Sequence, residues 1–396
     1  MKTGWVTEDL NANVHFMDYR GKTPPKRPSG VRLITAKNVK MGKVNLKPEE
    51  FIDASVYDEW MTRGFPSSGD VLFTTEAPLG NVARLKTSER VVIGQRLITM
   101  QPEQSLIDQG FLHYALMSPQ MQKEIHSHAT GATVLGIKSK LLKKVQFSYP
   151  PLEEQRRIVA VLDAAFEGLD RARAHTEANL QNARDLFDSM LETIFDEGRK
   201  VWKEIPVSEV GRVQTGSTPK TKVKDNFGSY IPFIKPSHFC TDGSLNYDVP
   251  GLSEAGLKQS RLIPLGSVLM VCIGATIGKV GYSTKDLATN QQVNAVTPSG
   301  GISPKFVYFQ MRSKSFQERV LYYSGQATLP IINKSKWSAL KLYLPSDEAE
   351  QIKLAGLMED VLSESESLME LYRSKLSDLD DLRQSLLQKA FAGELT

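Results

Sequence analysis

The sequence predicts an α/β (α+β) chain: two similar mixed α/β domains joined by two long antiparallel coiled-coil helices, with pseudo-twofold symmetry. Three observations carry that expectation. First, after Pro150-Pro151 the chain runs for more than forty residues without proline and with few glycines. Small or apolar residues recur there at three- and four-residue steps: Ile158, Leu162, Ala165, Leu169, Ala172, Ala183, Leu186, Met190 and Ile194. This is the pattern of a long helix packed along another helix. Second, the pattern returns between Pro345 and Phe391 at an offset of 196, with Glu154-Gln155 on Glu350-Gln351, Ile158 on Leu354, Leu162 on Met358 and Leu180 on Leu376. Third, the stretches that precede each helical segment share turn and strand landmarks at nearly the same offset. A repeat of this length decides the architecture before any single residue is interpreted.

The expected order is a domain over residues 1–150, a central helix over 151–198, a second domain over 199–345 and a C-terminal helix over 346–396. In the first domain, Gly21-Lys-Thr-Pro-Pro25 reads as a turn, and Val31–Val39 as a strand ending in Lys37 and Asn38. Gly69-Asp70 leads into the β-rich run Val71–Thr75, Gly80 marks a turn, and Val91–Met100 is a strand interrupted at Gly94-Gln95-Arg96. Phe111–His126 reads as a helix and Val145–Tyr149 as a last strand before the prolines. The second domain follows suit. Thr215–Pro219 matches Arg20–Pro24, Ile231–Phe239 matches the Val31 strand, and Gly266-Ser-Val-Leu269 matches Gly69-Asp-Val-Leu72. Gly278 stands for Gly80, Asn290-Gln291-Gln292 for Gly94-Gln95-Arg96, Met311-Arg-Ser313 for Leu116-Met-Ser118, and Gly325–Thr328 for Gly131–Thr133.

A rod of about 43 residues is roughly 65 Å long, too long for the interior of one compact domain. Each rod must hide its apolar seam, and the nearest matching seam is on the other rod. The residues expected to pack there are Ile158, Leu162, Leu169, Leu186 and Met190 on the first, with Leu354, Met358, Leu376, Leu382 and Leu386 on the second. Because the first rod leads from one domain into the next, the second must run back antiparallel to it.

Apolar residues are 40% of the chain and charged residues 24%, ordinary values for packed domains. No apolar run approaches the ~18–20 residues that span a membrane. The N-terminal stretch lacks the apolar core of a secretory signal, so a cytoplasmic protein with no membrane partner is expected. Cys240 and Cys272 offer neither a disulfide framework nor a metal-ligand spacing, and both are expected to be buried small hydrophobes. The net charge of +4 is unevenly placed. Residues 151–200 carry seven Lys and Arg against eleven Asp and Glu, and 346–396 five against twelve, whereas the two domains together carry 37 against 22. Basic domains between acidic struts suggest two surfaces that meet a polyanion.

Catalytic signatures are missing. Tyr149-Pro-Pro-Leu152 does not match the Asp/Asn-Pro-Pro-aromatic motif of DNA amino-methyltransferases, and it sits at a helix start. Gly274-Ala-Thr-Ile-Gly-Lys279 is one residue short of a phosphate-binding loop and is followed by Val280 where Ser or Thr is needed. No H-E-x-x-H, paired C-x-x-C or nuclease carboxylate–lysine cluster is present, and no metal site is expected. The chain is expected to bind and not to catalyse.

Two basic domains at fixed separation and in inverted orientation suit duplex DNA, each domain meeting one half-site, as dimer geometry does for paired half-sites. Unlike domains imply an asymmetric bipartite sequence. Arg and Lys pair with guanine and Asn and Gln with adenine, while many cationic contacts go to phosphate. The expected readers are Lys22, Lys37, Asn38, Gln95 and Arg96 in the first domain, and Lys220, Lys235, His238, Gln291 and Gln292 in the second. Lys138, Lys140, Asn333 and Lys334, beside the spacer, are the expected phosphate contacts.

The chain as a whole resembles the specificity (S) subunits of Type I restriction-modification enzymes. The residues that carry the resemblance are Pro150-Pro-Leu-Glu-Glu-Gln-Arg-Arg-Ile158 leading into Leu162-Asp163, and the tail Leu382-Arg-Gln-Ser-Leu-Leu-Gln-Lys-Ala-Phe-Ala-Gly-Glu-Leu395. The G-x-T-P turns at Gly21 and Gly216 and the Gly-x-Val-Leu strands at Gly69 and Gly266 also fit. Leu344-Pro-Ser346 departs from it, with one proline where the first rod has two. The resemblance implies two target-recognition domains on an antiparallel spacer, each reading half of a split double-stranded DNA site. It also implies modification (methyltransferase) subunits, typically two, docked on the helices, with restriction subunits as further partners. No cofactor is expected in this chain; S-adenosylmethionine belongs on the modification subunit. The competing reading is a stand-alone regulator that occupies a split operator without a methyltransferase partner.

Overall fold

The computed structural model describes residues 4–19, 24–240, 242–325 and 329–395. They form two compact units, Met1–Thr176 with Ser374–Thr396, and Glu177–Arg373. The Gly21–Thr23 part of the first G-x-T-P turn and the 326–328 part of the Gly325 landmark lie outside the described residues.

In the first unit a four-stranded antiparallel sheet has the order Val14–Asp18, Leu97–Pro102, Val71–Thr75, Leu79–Arg84. A smaller sheet places Val31–Ile34 between Phe51–Ile52, antiparallel, and Val91–Ile93, parallel. Val6–Asp9 pairs with Gln146–Tyr149 just before the helix. The second unit repeats this plan. Its large sheet runs Gly211–Thr215, Val293–Pro298, Val268–Val271, Val280–Tyr282. Ile231–Ile234 is parallel to Ala288–Thr289, and Lys203–Pro206 pairs with Lys341–Leu344. Each sheet packs against two short helices. The expected helix over 111–126 is two, Gln109–Met117 and Pro119–Ser127, because Ser118 breaks the run and its hydroxyl caps the second helix at Met121 N. Ser313 does the same between Pro304–Arg312 and Lys314–Ser324. That is why the serine repeats.

Two other repeated residues have physical explanations. Gly80 and Gly278 adopt φ of +88° and +89°, the left-handed region that costs L-residues most. A Cβ there would also lie 2.6 Å and 2.2 Å from the side-chain oxygens of Gln122 and Gln317. Gln155 and Gln351 are buried at the two helix starts. Gln155 accepts from Asp108 N (2.9 Å) and donates to Leu106 O and Pro150 O (both 2.8 Å). Gln351 accepts from Ser303 N (2.9 Å) and donates to Pro345 O (2.8 Å) and Gly301 O (3.4 Å). Each glutamine ties a long helix to its own domain.

The long helices are Leu152–Gly198 and Glu348–Ala392. Where the first starts behind two prolines, the second has Asp347, whose carboxylate accepts from Ala349 N at 3.0 Å, so a cap replaces the missing ring. Within each unit the helical segments run antiparallel. In the first, Asp170 pairs with Arg383 and Arg173 with Asp380, partner numbers falling as the others rise, and Arg383 lies 4.5 Å from the Phe166 ring centre. In the second, Ser365 donates to Ala183 O, while Ala355 and Met358 share a core with Phe187, Leu191 and Phe195.

Two of the expected seam residues face outward. Leu186 is 44% exposed and Leu382 is 48% exposed. The buried positions are Ile158, Leu162, Phe166, Thr176, Leu180, Ala183, Phe187, Leu191 and Phe195. Phe187 displaces Leu186 because its ring makes an edge contact with Phe309 (centroids 5.9 Å apart), and this moves the seam one position round the helix. On the second helix Leu387 takes the fully buried place beside Leu386, and Leu382 lies on the outer face. Met190, Leu169, Leu354 and Leu386 are half-buried against their units' cores, and Leu376 is half-buried. Cys272 is buried as expected, but Cys240 is exposed.

Candidate nucleic-acid interface

The parallel strand pair of each domain brings two loops together at its carboxyl ends. In the first domain Ile34 and Ile93 are register partners, and Gly94 N donates to Ile34 O at 2.8 Å. The loop after Ile34, holding Thr35, Lys37 and Asn38, is therefore adjacent to the loop Gly94-Gln95-Arg96. A Cβ at Gly94 would lie 3.0 Å from Thr35 Cγ2 and 3.3 Å from Ile34 O, so the two loops approach closely here. The second loop is tied in turn to the large sheet, with Thr75 N donating to Arg96 O at 2.9 Å. The second domain repeats the arrangement through Ile234 and Thr289 as partners and Cys272 N donating to Gln292 O (2.8 Å). There the turn after Thr215 also joins, since Thr218 Oγ1 donates to Gln291 Oε1 at 2.8 Å. Strand ends that carry several polar loops to one edge are where open α/β sheets bind ligands.

The expected readers divide on inspection. Lys37 is exposed, its ammonium 3.9 Å from Glu50. Arg96 is exposed and pairs with Glu76 at 3.1 Å, and Gln95 beside it is half-buried. Lys220 and Lys235 are exposed, Gln291 is exposed at the tip of its loop, and Gln292 accepts from Asn290 Nδ2 at 2.8 Å. Asn38 is a correction. It is 1% exposed; its Oδ1 accepts from Thr35 N and Oγ1 (both 3.0 Å), and its Nδ2 donates to Asn45 O (3.0 Å) and Pro48 O (3.1 Å). With every polar atom engaged inside the loop, Asn38 shapes it and has no group left for a base. Lys22 lies outside the described residues.

Among the spacer-side residues, Lys138 and Lys140 are exposed around the short helix Ser139–Leu142. Asn333 caps Lys334–Ser338 by accepting from Lys336 N at 2.8 Å, which commits its oxygen, and Lys334 is exposed at the first turn.

His238 has a defined protonation. Burial and, next, the Lys235 ammonium lower its pKa from the ordinary value, so the ring is neutral near pH 7. Its Nδ1 accepts from Lys235 N at 3.1 Å, which leaves the ring proton on Nε2 as a donor. One residue of this edge was missed at the sequence level. Glu76 follows the Val71–Thr75 strand and faces Arg96, and its only sequence signal was a charged residue just past a repeated strand, opposite Ile273 in the other copy. Among the described residues no group of His, Cys, Asp and Glu could hold a metal ion.

The sequence of this chain matches the model of the type I restriction modification DNA specificity domain over residues 61–180 and 199–371. It is 29% identical over 199 residues to the MjaIX specificity subunit of Methanocaldococcus jannaschii, covering 48% of this chain and 44% of that protein. It is 31% identical over 204 residues to the HindI specificity subunit of Haemophilus influenzae, covering 49% of this chain and 42% of that protein. The chain thus spans less than half the length of these two curated relatives. A chain solved in work on complex assembly and conformational transition of the type I R-M system shares the fold, with a TM-score of 0.78 at 19% identity and coverage of 100% of this chain and 99% of the other. With the family's domain matched in both halves of a duplicated chain, this protein belongs to the type I restriction-modification DNA specificity family.

Proposed function

We propose that this chain is the DNA-reading subunit of a type I restriction-modification complex. Each target-recognition domain reads one half of an asymmetric bipartite site, and the long helices set the spacing. The observation that carries this is the pair of polar loop edges. One scaffold places them at equivalent strand ends, yet the side chains offered there differ, Lys37 and Arg96 in one domain against Lys235, His238 and Gln292 in the other. A common frame with different polar tips is what two readers of unlike half-sites require.

The same reading gives the chain no catalytic step of its own. The long helices dock two modification subunits, those subunits carry the S-adenosylmethionine that supplies the methyl group, and restriction subunits join the complex. The assembly acts on DNA in the cytoplasm. Support comes from the family membership and from the acidic outer faces of the helices, which disfavour DNA there and leave exposed Val161, Ile352 and Leu357 for protein contact.

The test is reconstitution. The chain is combined with the modification subunit of its own genome and S-adenosylmethionine, and methylated positions are mapped across a random DNA pool. Methylation at one split motif, absent when either protein is left out, is expected. Methyl transfer by the chain alone, or methylation without a split motif, overturns the reading.

A further inference from the structure

Arg96 and Glu76 stand apart from the other charged pairs of the first domain. The two non-glycine residues with positive φ among the described residues are Arg96 itself (67°) and Ala77 (48°), which follows Glu76. Non-glycine residues in the left-handed region cost of order 1–3 kcal/mol each, and such strain persists where surrounding structure over-determines it. Here the determinants are visible. The Arg96 carbonyl accepts from both Thr75 N (2.9 Å) and Thr75 Oγ1 (3.3 Å). Glu76 forms a backbone bridge with Gly136, where a Cβ would lie 3.1 Å from Glu76 Cβ and 3.2 Å from Thr75 O. Both backbones are held, and both side chains stay about half exposed, at 52% and 46%.

The contact is also specific in its atoms. Glu76 Oε1 meets Arg96 at Nε, 3.1 Å away. Neither Nη1 nor Nη2 of Arg96 has a hydrogen-bond acceptor among the described residues, so both remain free to donate. A carboxylate on a surface that meets a polyanion is unfavourable unless it does something there. Orienting Arg96 is one such role; accepting a hydrogen bond is a second. In the major groove guanine presents O6 and N7 to a bidentate Arg, and its partner cytosine presents an N4 amine to a carboxylate.

We propose that Arg96 and Glu76 together read one G·C base pair in the half-site of the first domain. Arg96 donates through its Nη groups to guanine, and the second Glu76 oxygen accepts from the cytosine N4 amine. The counterpart positions of the second domain hold Gln292, bonded to Asn290, and the neutral Ile273 in the place of Glu76, so the second half-site has no equivalent charge pair at these positions. The inference rests on the proposed DNA-reading role and assigns a base pair and a positioning residue within it.

The experiment maps base preference from a randomised DNA pool, using the full chain assembled with its modification subunits, for the wild type and for Arg96→Gln, Arg96→Lys and Glu76→Gln. Hydrogen exchange of the Val71–Thr75 strand serves as the folding control. The wild type should show a G·C pair in one half-site. Arg96→Gln should cut its G-over-A preference there by about 10- to 100-fold. Arg96→Lys, which keeps charge but not the fork, should weaken the same position by less. Glu76→Gln should lower discrimination at that pair and nowhere else. A wild-type split motif that all three variants leave unchanged overturns the Arg96–Glu76 assignment alone. A wild-type complex with no sequence preference overturns the DNA-reading role itself.

Discussion

The two domains share almost every device that holds them together and few that could tell one DNA sequence from another. Trp5, Phe111 and Phe391 pack as an aromatic cluster in the first unit, and Trp202, Phe306 and Phe195 pack the same way in the second. The serine caps, the glycine–glutamine contacts and the buried glutamines at the helix starts also repeat. What changes is the loop edge and several core positions, including one that carries a histidine in the first unit. His113 is buried in the first unit where Tyr308 stands in the second. The His113 pKa is pushed down to about 3, first by burial and then by Arg84 and Lys86, whereas the Tyr308 hydroxyl accepts from Arg312 Nη1 at 2.7 Å. The comparison separates what a scaffold must keep from what each copy is free to alter.

The largest effect that tests this separation lies in the seams. Leu162→Ala and Met358→Ala, at fully buried equivalent positions, should each destabilise their own unit by about 2–5 kcal/mol in denaturant unfolding followed by hydrogen exchange. Leu186→Ala and Leu382→Ala should change stability by less than about 0.5 kcal/mol. Equal losses at all four positions would contradict the packing described above.

Next come the glutamines. Gln155→Ala and Gln351→Ala each remove the acceptor of a backbone N–H, half-buried at Asp108 and buried at Ser303, and should cost about 1–3 kcal/mol. The two losses should match to within about 1 kcal/mol if the staple is shared scaffold. A loss at one site alone would mean that only one copy depends on it.

The smallest effect is the one that should break the symmetry. Because His113 binds a proton far more weakly folded than unfolded, its contribution is complete above the unfolded pKa of about 6.5 and is lost as pH falls toward 3. At pH 5 the first unit should have lost on the order of 2 kcal/mol through this group. His113→Phe should remove that part of the acid sensitivity, read as the pH dependence of exchange at 111–117. The second unit, with Tyr308 in this place, should show no matching change at 306–311.

Much of the fold was legible in the sequence because its signals are local. A long proline-free stretch with helical spacing must form a helix, and Gly80 and Gly278 mark turns by their backbone freedom alone. The duplication was legible for the same reason: caps, turns and strand starts recur at one offset. The candidate site was legible only in part. Lys37 and Arg96 were singled out in sequence by their place beside repeated landmarks, but Asn38 looked identical to a reader in sequence. Whether an amide is spent on its own loop depends on Asn45 and Pro48 reaching it. Glu76 gave no pattern of its own, because its meaning comes from Arg96, twenty residues further along the chain.

By itself, then, the sequence determined the two long helices, the repeated domain plan and the strands that lead into each loop, since hydrophobic period and turn chemistry act over a few residues. Only the tertiary structure decided which helical face is buried and which polar groups remain free. Phe187 excludes Leu186 from the seam by contact with Phe309, and the parallel pairing of Ile34 with Ile93 sets the Lys37 and Arg96 loops side by side. Those outcomes depend on the fit of side chains far apart in the chain, and no local period encodes that fit.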